Sequence, residues 1–155
     1  MENGIDLWEE LGLEEYCHGE KSVIAGVLEG ATNRETGESV AEYAAHNEFG
    51  TNRIPSRPFL RQTFDEKAEE WANNLGKAVE AGYSPAGAFQ LVGTRMAEDI
   101  QATIKSNMPP KNSEATIEQK RKKVDGGAKG ESMVPGTLID TGSLLSSIDH
   151  EVRRQ

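Results

Sequence analysis

The chain has 155 residues, 35% of them hydrophobic and 28% charged, with a formal net charge of −9. That length suits one domain with a real core, and that charge argues against gripping nucleic acid over the whole surface, because phosphate binding needs clustered Lys and Arg. No stretch approaches the roughly 20 apolar residues that span a bilayer, and the single cysteine, Cys17, excludes an intrachain disulfide and a zinc site built from thiolates alone.

Taken in chain order, the elements begin with an acidic segment. Residues 1–20 hold seven carboxylates (Glu2, Asp6, Glu9, Glu10, Glu14, Glu15, Glu20) and no Lys or Arg. They lack the basic start and apolar run of a signal peptide, so a cytoplasmic setting is expected. Leu7, Trp8, Leu11 and Tyr16 recur at near-helical spacing, which predicts a short helix over Ile5–Tyr16, weakened by Gly12. Lys21–Leu28 is apolar on both faces, the pattern of a strand inside a sheet. Gly30–Gly37 is turn chemistry. Val40–Asn47 predicts a short helix with Val40, Tyr43, Ala44 and Ala45 on one side, stopped by Gly50.

After a Thr51–Pro55 loop, Ser56 is placed to cap a long helix that Arg57 and Pro58 open, since proline suits a first turn. Leu60, Phe64, Ala68, Trp71, Leu75 and Ala78 trace its apolar stripe to about Ala81. Ser84-Pro85 repeats the cap-then-proline start, and Phe89, Val92, Met96, Ile100 and Ile104 mark a second long helix. A connection of a few residues makes the two an antiparallel pair. Asn107–Asn112 cannot be helical, because the double proline forces an extended or turn path. Thr116–Gln119 matches a capping box for a short helix. Asp125–Gly136 is a glycine-rich loop. Asp140-Thr141-Gly142 forms a turn or cap, Ser143–Ser146 one helical turn, and Ser147–Val152 a closing strand with Ile148, His150 and Val152 on one face. The expected class is α+β: a small antiparallel sheet packed against two long antiparallel helices, with an extended glycine-rich loop, all in one domain over 1–155.

Little in this chain carries chemistry. His18, His46 and His150 are scattered, without the spacing of a metal site. Cys17 beside His18 lacks an orienting group. The glycines of Asp125–Gly136 do not end in the G-K-[ST] of a phosphate loop. Glu48, between a helix end and a tight glycine, reads as tied to backbone N–H groups or to Arg57 or Arg61. No catalytic, cofactor or metal residue is assigned, and no enzyme activity is expected. Phe59, flanked by Arg57 and Arg61, reads either as an interface anchor or as a staple within the monomer. Lys120, Arg121, Lys122 and Lys123 form a basic run, either a solvated helix end suited to the helix dipole or a patch for an acidic partner.

Four segments together resemble a family of small bacteriophage proteins described as tail-completion, head–tail joining or virion morphogenesis proteins. They are Asn47-Glu48-Phe49-Gly50-Thr51, then Ile54–Arg61 with its Arg57-Pro58-Phe59-Leu60-Arg61, then Pro109–Lys120, then Leu138–Ile148 with Thr141-Gly142. The acidic N-terminal segment and the glycine-rich insertion depart from the pattern. The resemblance implies a virion structural protein of the neck or tail end, acting as a homo-oligomeric ring, a hexamer or dodecamer, around the DNA channel. Its partners would be other virion proteins: the head–tail connector, tail terminator or tail tube. DNA would be only passing cargo and no membrane would be involved; the protein would sit in the virion, and in the host cytoplasm during assembly. Six chains at −9 each would carry roughly −54 charges, a field that keeps DNA from sticking to the channel wall. The competing expectation is a non-viral acidic binding module whose basic run reaches an acidic partner. A small hydrolase built on Glu48 and His46 is the third.

Overall fold

The computed structural model describes residues 21–28, 30–33, 36–125, 137–138 and 142–154. The predicted helix over Ile5–Tyr16, the residues Cys17 and His18, and the glycine-rich loop after Asp125 lie outside the described residues, as do Asp140 and Thr141. The chain runs β1 (Lys21–Val27), α1 (Val40–Phe49), α2 (Phe59–Glu80), α3 (Pro85–Lys105), α4 (Glu114–Asp125), α5 (Ser143–Ser146) and β2 (Ile148–Arg154). The fold is α+β, with an antiparallel two-stranded sheet lying on α3 and α3 paired with α2.

β1 and β2 pair in register from Lys21 opposite Arg154 to Val27 opposite Ile148. Directly opposed residues share a face, so Val23, Ala25 and Val27 join Val152, His150 and Ile148. Among the described residues β1 pairs with β2 alone, which corrects the expectation of a strand inside a sheet. Its apolar content reports helix contacts rather than a second strand: Ala25 and Val27 pack on the main core. The approach of α3 to the sheet depends on Gly93. A Cβ there would lie 2.8 Å from Val23 Cγ2 and closer still to the His150 ring.

The core centres on Val40, Phe59, Ile104, Leu138, Leu144, Leu145 and Ile148, drawn from α1, α2, α3, α5, β2 and the Leu138 segment. Each such side chain contributes about 1.5–3 kcal/mol by leaving water. Ser84 caps α3 by accepting the Gly87 N–H at 3.2 Å, with Pro85 in the first turn, as the sequence predicts. The stripes differ in detail. On α1 the buried residues are Val40, Ala44, Asn47 and Glu48, while Tyr43 and Ala45 face outward. On α2 the buried residues are Phe59, Thr63, Trp71 and Ala78, while Phe64 is 58% exposed and meets Trp71 edge-on at 6.2 Å. The predicted stripe holds at Trp71 and Ala78, and Leu60 packs half-buried against the core, but its start differs: Phe59 is the fully buried residue and Phe64 lies outside. Met96 is only half-buried. Trp71 donates its indole N–H to Asp99 at 2.8 Å, satisfying a group that burial would otherwise strand.

The start of α4 also differs. The helix begins at Glu114, and Ser113 rather than Thr116 provides the cap, accepting the Thr116 N–H at 3.3 Å. Its 12 residues run through the whole basic run. Gly142, at φ 76°, occupies the cap position of α5 without a side-chain cap bond.

Candidate functional site

The segment Asn47–Arg61 folds into a clamp between α1 and α2. Glu48, on the last turn of α1, turns its carboxylate onto the first turn of α2. Leu60 N–H donates to Oε2 at 2.9 Å, and Arg61 N–H donates to Oε1 at 3.1 Å. Arg61 Nε donates to Oε1 at 2.9 Å, and Arg61 Nη2 donates to the Glu48 carbonyl at 2.8 Å. A helix start exposes unpaired N–H groups and a positive dipole end, and a carboxylate answers both. The side chain of Glu48 is only 4% exposed.

This corrects the predicted cap. α2 starts at Phe59 with Pro58 in the cap position and no side-chain cap bond from it. Ser56 does not cap the helix; its hydroxyl donates to the Glu48 carbonyl at 2.8 Å. The cap comes instead from a residue twelve positions back in sequence, a distance at which no local capping pattern operates.

Gly50 permits the turn that makes this possible. It takes φ 78°, and a Cβ on it would lie 2.9 Å from the Ser56 nitrogen and 3.1 Å from the Ile54 carbonyl. Only glycine suits both the conformation and the space. Thr51 organises the loop tip, its hydroxyl accepting the Arg53 and Ile54 N–H groups at 3.2 and 3.0 Å. Asn47 closes the clamp from the α1 side: its side-chain amide donates to the Tyr43 carbonyl at 2.9 Å and its backbone carbonyl accepts the Arg57 N–H at 2.6 Å.

Phe59 is fully buried. It is therefore core, and the reading of Phe59 as an interface anchor is set aside. The exposed aromatic of the clamp is Phe49, 69% exposed, with the Arg61 guanidinium 5.2 Å from its ring centroid. That stack holds both side chains in place at the surface.

Arg57 links the clamp to the chain beyond α3. Its Nε donates to the Pro110 carbonyl at 2.9 Å and its Nη2 to Asn112 Oδ1 at 3.2 Å. Asn112 in turn donates to the Thr137 carbonyl at 3.1 Å, beside the buried Leu138. Burial pushes the Arg57 guanidinium below the ordinary arginine value, an effect the Tyr43 phenol opposes; arginine nonetheless keeps its proton in proteins. All four segments that carry the family resemblance therefore meet: Asn47–Thr51 and Ile54–Arg61 in the clamp, Pro110 and Asn112 on Arg57, and Leu138 with Leu144 and Ile148 in the core around Phe59.

Beside Arg57 opens a cavity of about 490 Å³. Four cations line it, Arg53, Arg57, Lys111 and Lys120, and no carboxylate does among the described residues. Lys120 lies 3.5 Å from the Thr137 carbonyl. The described members of the basic run differ in setting: Lys120 lines this cavity, while Arg121 and Lys122 are exposed and Lys122 lies 3.8 Å from Glu118 one turn earlier. Lys123 falls on the same helix, and Thr141 lies outside the described residues. The contribution of Arg53 and Lys111 has no sequence signal, because they stand 58 positions apart (111 less 53) and only folding brings them together.

This arrangement offers hydrogen-bond donors and positive charge, not acid–base machinery. Both Glu48 oxygens already accept N–H groups, so using that carboxylate as a base would undo the start of α2. Among the described residues no three His, Cys, Asp or Glu side chains are grouped to hold a metal, and no described helix is long and apolar enough to cross a membrane. Comparison of the chain with protein-family models, with curated proteins and with solved structures found no match.

Proposed function

We propose that the chain is a virion structural protein of a phage neck or tail end, acting in tail completion or head–tail joining as a homo-oligomeric ring around the DNA channel. Its neighbours would be the connector, the tail terminator or the tail tube, and it would perform no catalysis. The observation that carries the reading is the convergence of the four resembling segments on one scaffold whose polar groups are spent on each other. Glu48, Arg57 and Arg61 use their charge to fix backbone, as suits a protein whose product is an assembled shape. The exposed Phe49–Arg61 pair supplies the kind of aromatic and arginine surface that anchors protein interfaces. Phage particles assembled without this chain should appear as separated heads and tails, or as tails with defective ends; normal infectious particles would sink the proposal.

The cation-lined cavity favours a second reading, a binding module for an acidic partner outside any virion. Tight binding to duplex DNA that weakens steeply with salt, by a chain that forms no ring, would favour that reading instead.

A further inference from the structure

Three of the four cations at the cavity keep side-chain donors that the described fold does not use. Arg53 and Lys111 are exposed and make no side-chain hydrogen bond or ion pair among the described residues. Arg57 is 4% exposed and uses Nε and Nη2 on Pro110 and Asn112, which leaves Nη1 uncommitted. No buried side-chain nitrogen among the described residues lacks a partner, so Nη1 is not sealed in the interior, and Arg57 lines the cavity. A buried guanidinium facing a cavity with two exposed cations is built to take carboxylates in charge-assisted bonds. A ligand supplying several negative charges in series fits best.

The chain itself carries such a ligand. Residues 1–20 hold seven carboxylates and no Lys or Arg, within a chain whose net charge is −9. Where that segment joins the fold is informative. It enters at Lys21, which pairs with Arg154 at one end of the sheet. The other end, Val27 opposite Ile148, packs on the core with Val40 and Leu138, next to the α1 and Thr137 positions that line the cavity. Seven strand residues at about 3.3 Å each separate the two ends by roughly 20 Å. The point where the donor segment joins the fold and the receiving cavity thus lie toward opposite ends of the sheet. Complementary patches placed apart make head-to-tail contacts, the kind that close into rings.

We propose that the cavity receives the acidic residues 1–20 of a neighbouring copy of this chain, forming a subunit contact of the ring; the inference rests on the ring reading above. Carboxylates of the incoming segment bond Arg53, Arg57 and Lys111, with Lys120 at the rim.

Full-length chain mixed from unlabelled and ¹⁵N-labelled copies, coupled with a zero-length carbodiimide reagent, tests this directly. The expected products join Lys111 or Lys120 of one isotope to a carboxylate of residues 1–20 of the other. Arg53→Glu with Lys111→Glu, both at exposed positions, should leave the circular dichroism spectrum unchanged. The double variant should remove these products and weaken self-association at least tenfold. Adding Glu9→Lys with Glu10→Lys should restore both. Links confined to one isotope, links from residues 1–20 to other lysines only, or self-association unaffected by the double variant would overturn the inference. Light scattering on the same sample separates the two readings. A ring without these links removes the docking contact and leaves the ring; a monomer without them removes both.

Discussion

The clamp and the cavity share one loop and use charge in opposite ways. In the clamp, Glu48 meets Arg61 and two backbone N–H groups, and its charge is consumed in fixing the start of α2. In the cavity, Arg53 and Lys111 point positive charge into open space with no described carboxylate nearby. Arg57 spans both, with its backbone N–H in the clamp and its guanidinium at the cavity wall. The difference separates two jobs that a motif search merges. Saturated charge builds the scaffold, and unsaturated charge is left for a partner.

Substitutions should divide along the same line. Phe59→Ala sits at the base of the clamp in the fully buried core and should cost about 3–5 kcal/mol of stability, read by denaturant unfolding; a smaller loss than for a surface Phe such as Phe64→Ala would break the account. Glu48→Ala removes the cap of α2 and strands the Leu60 and Arg61 N–H groups, which should cost about 2–4 kcal/mol. Hydrogen exchange at those two amides should accelerate ahead of the rest of α2. Gly50→Ala forces a Cβ against the Ser56 nitrogen at a positive φ and should cost about 1–3 kcal/mol, again in denaturant unfolding. Across the line, Arg53→Glu with Lys111→Glu should change stability by only about 0.5 kcal/mol per site, while self-association falls. A large loss of monomer stability there would mean that the cavity cations belong to the scaffold after all.

The smallest effect lies away from both regions. Lys67 Nζ donates to Glu70 at 2.7 Å on the surface of α2. That bond holds the Glu70 carboxyl below its ordinary 4.5 and raises the Lys67 ammonium above 10.5. The Glu70 contribution is present above pH 4.5 and disappears as pH falls through the lowered value; the Lys67 contribution is present below pH 10.5 and disappears as pH rises through the raised one. Both groups are exposed, so salt should screen the effect. Thermal melts of Glu70→Gln and the parent should differ slightly at neutral pH in low salt and converge in acid.

Much of the fold is legible in the sequence because its signals are local. Ser84-Pro85, the two long helices, Gly50 and the closing strand each announce themselves within a few residues. What stays hidden is set by distance along the chain. The cap of α2 comes from Glu48, twelve residues back, so the nearby Ser56 draws the local rule to the wrong residue. Spacing alone places Phe64 on the apolar stripe, yet Phe59 is the buried aromatic at the helix start and Phe64 is left outside. Ser113, not Thr116, starts α4, since both hydroxyl residues satisfy a capping pattern and only the path after Pro110 chooses between them. The clamp residues could be named from sequence as a group, and so could the tie of Glu48 to backbone N–H groups and Arg61, but not that this tie caps α2, nor that Phe59 is core and Phe49 surface. The cavity could not be found at all, because its cations come from the Thr51–Pro55 loop, the start of the Arg57–Arg61 segment, the segment after α3 and the middle of α4.

The most direct measurement is the native mass of the full-length chain beside that of Arg53→Glu with Lys111→Glu at the same micromolar concentration. A closed ring of whole-number copies for the parent and a folded monomer for the double variant is the predicted result. A parent that stays monomeric, with the same mass as the variant, would contradict the account.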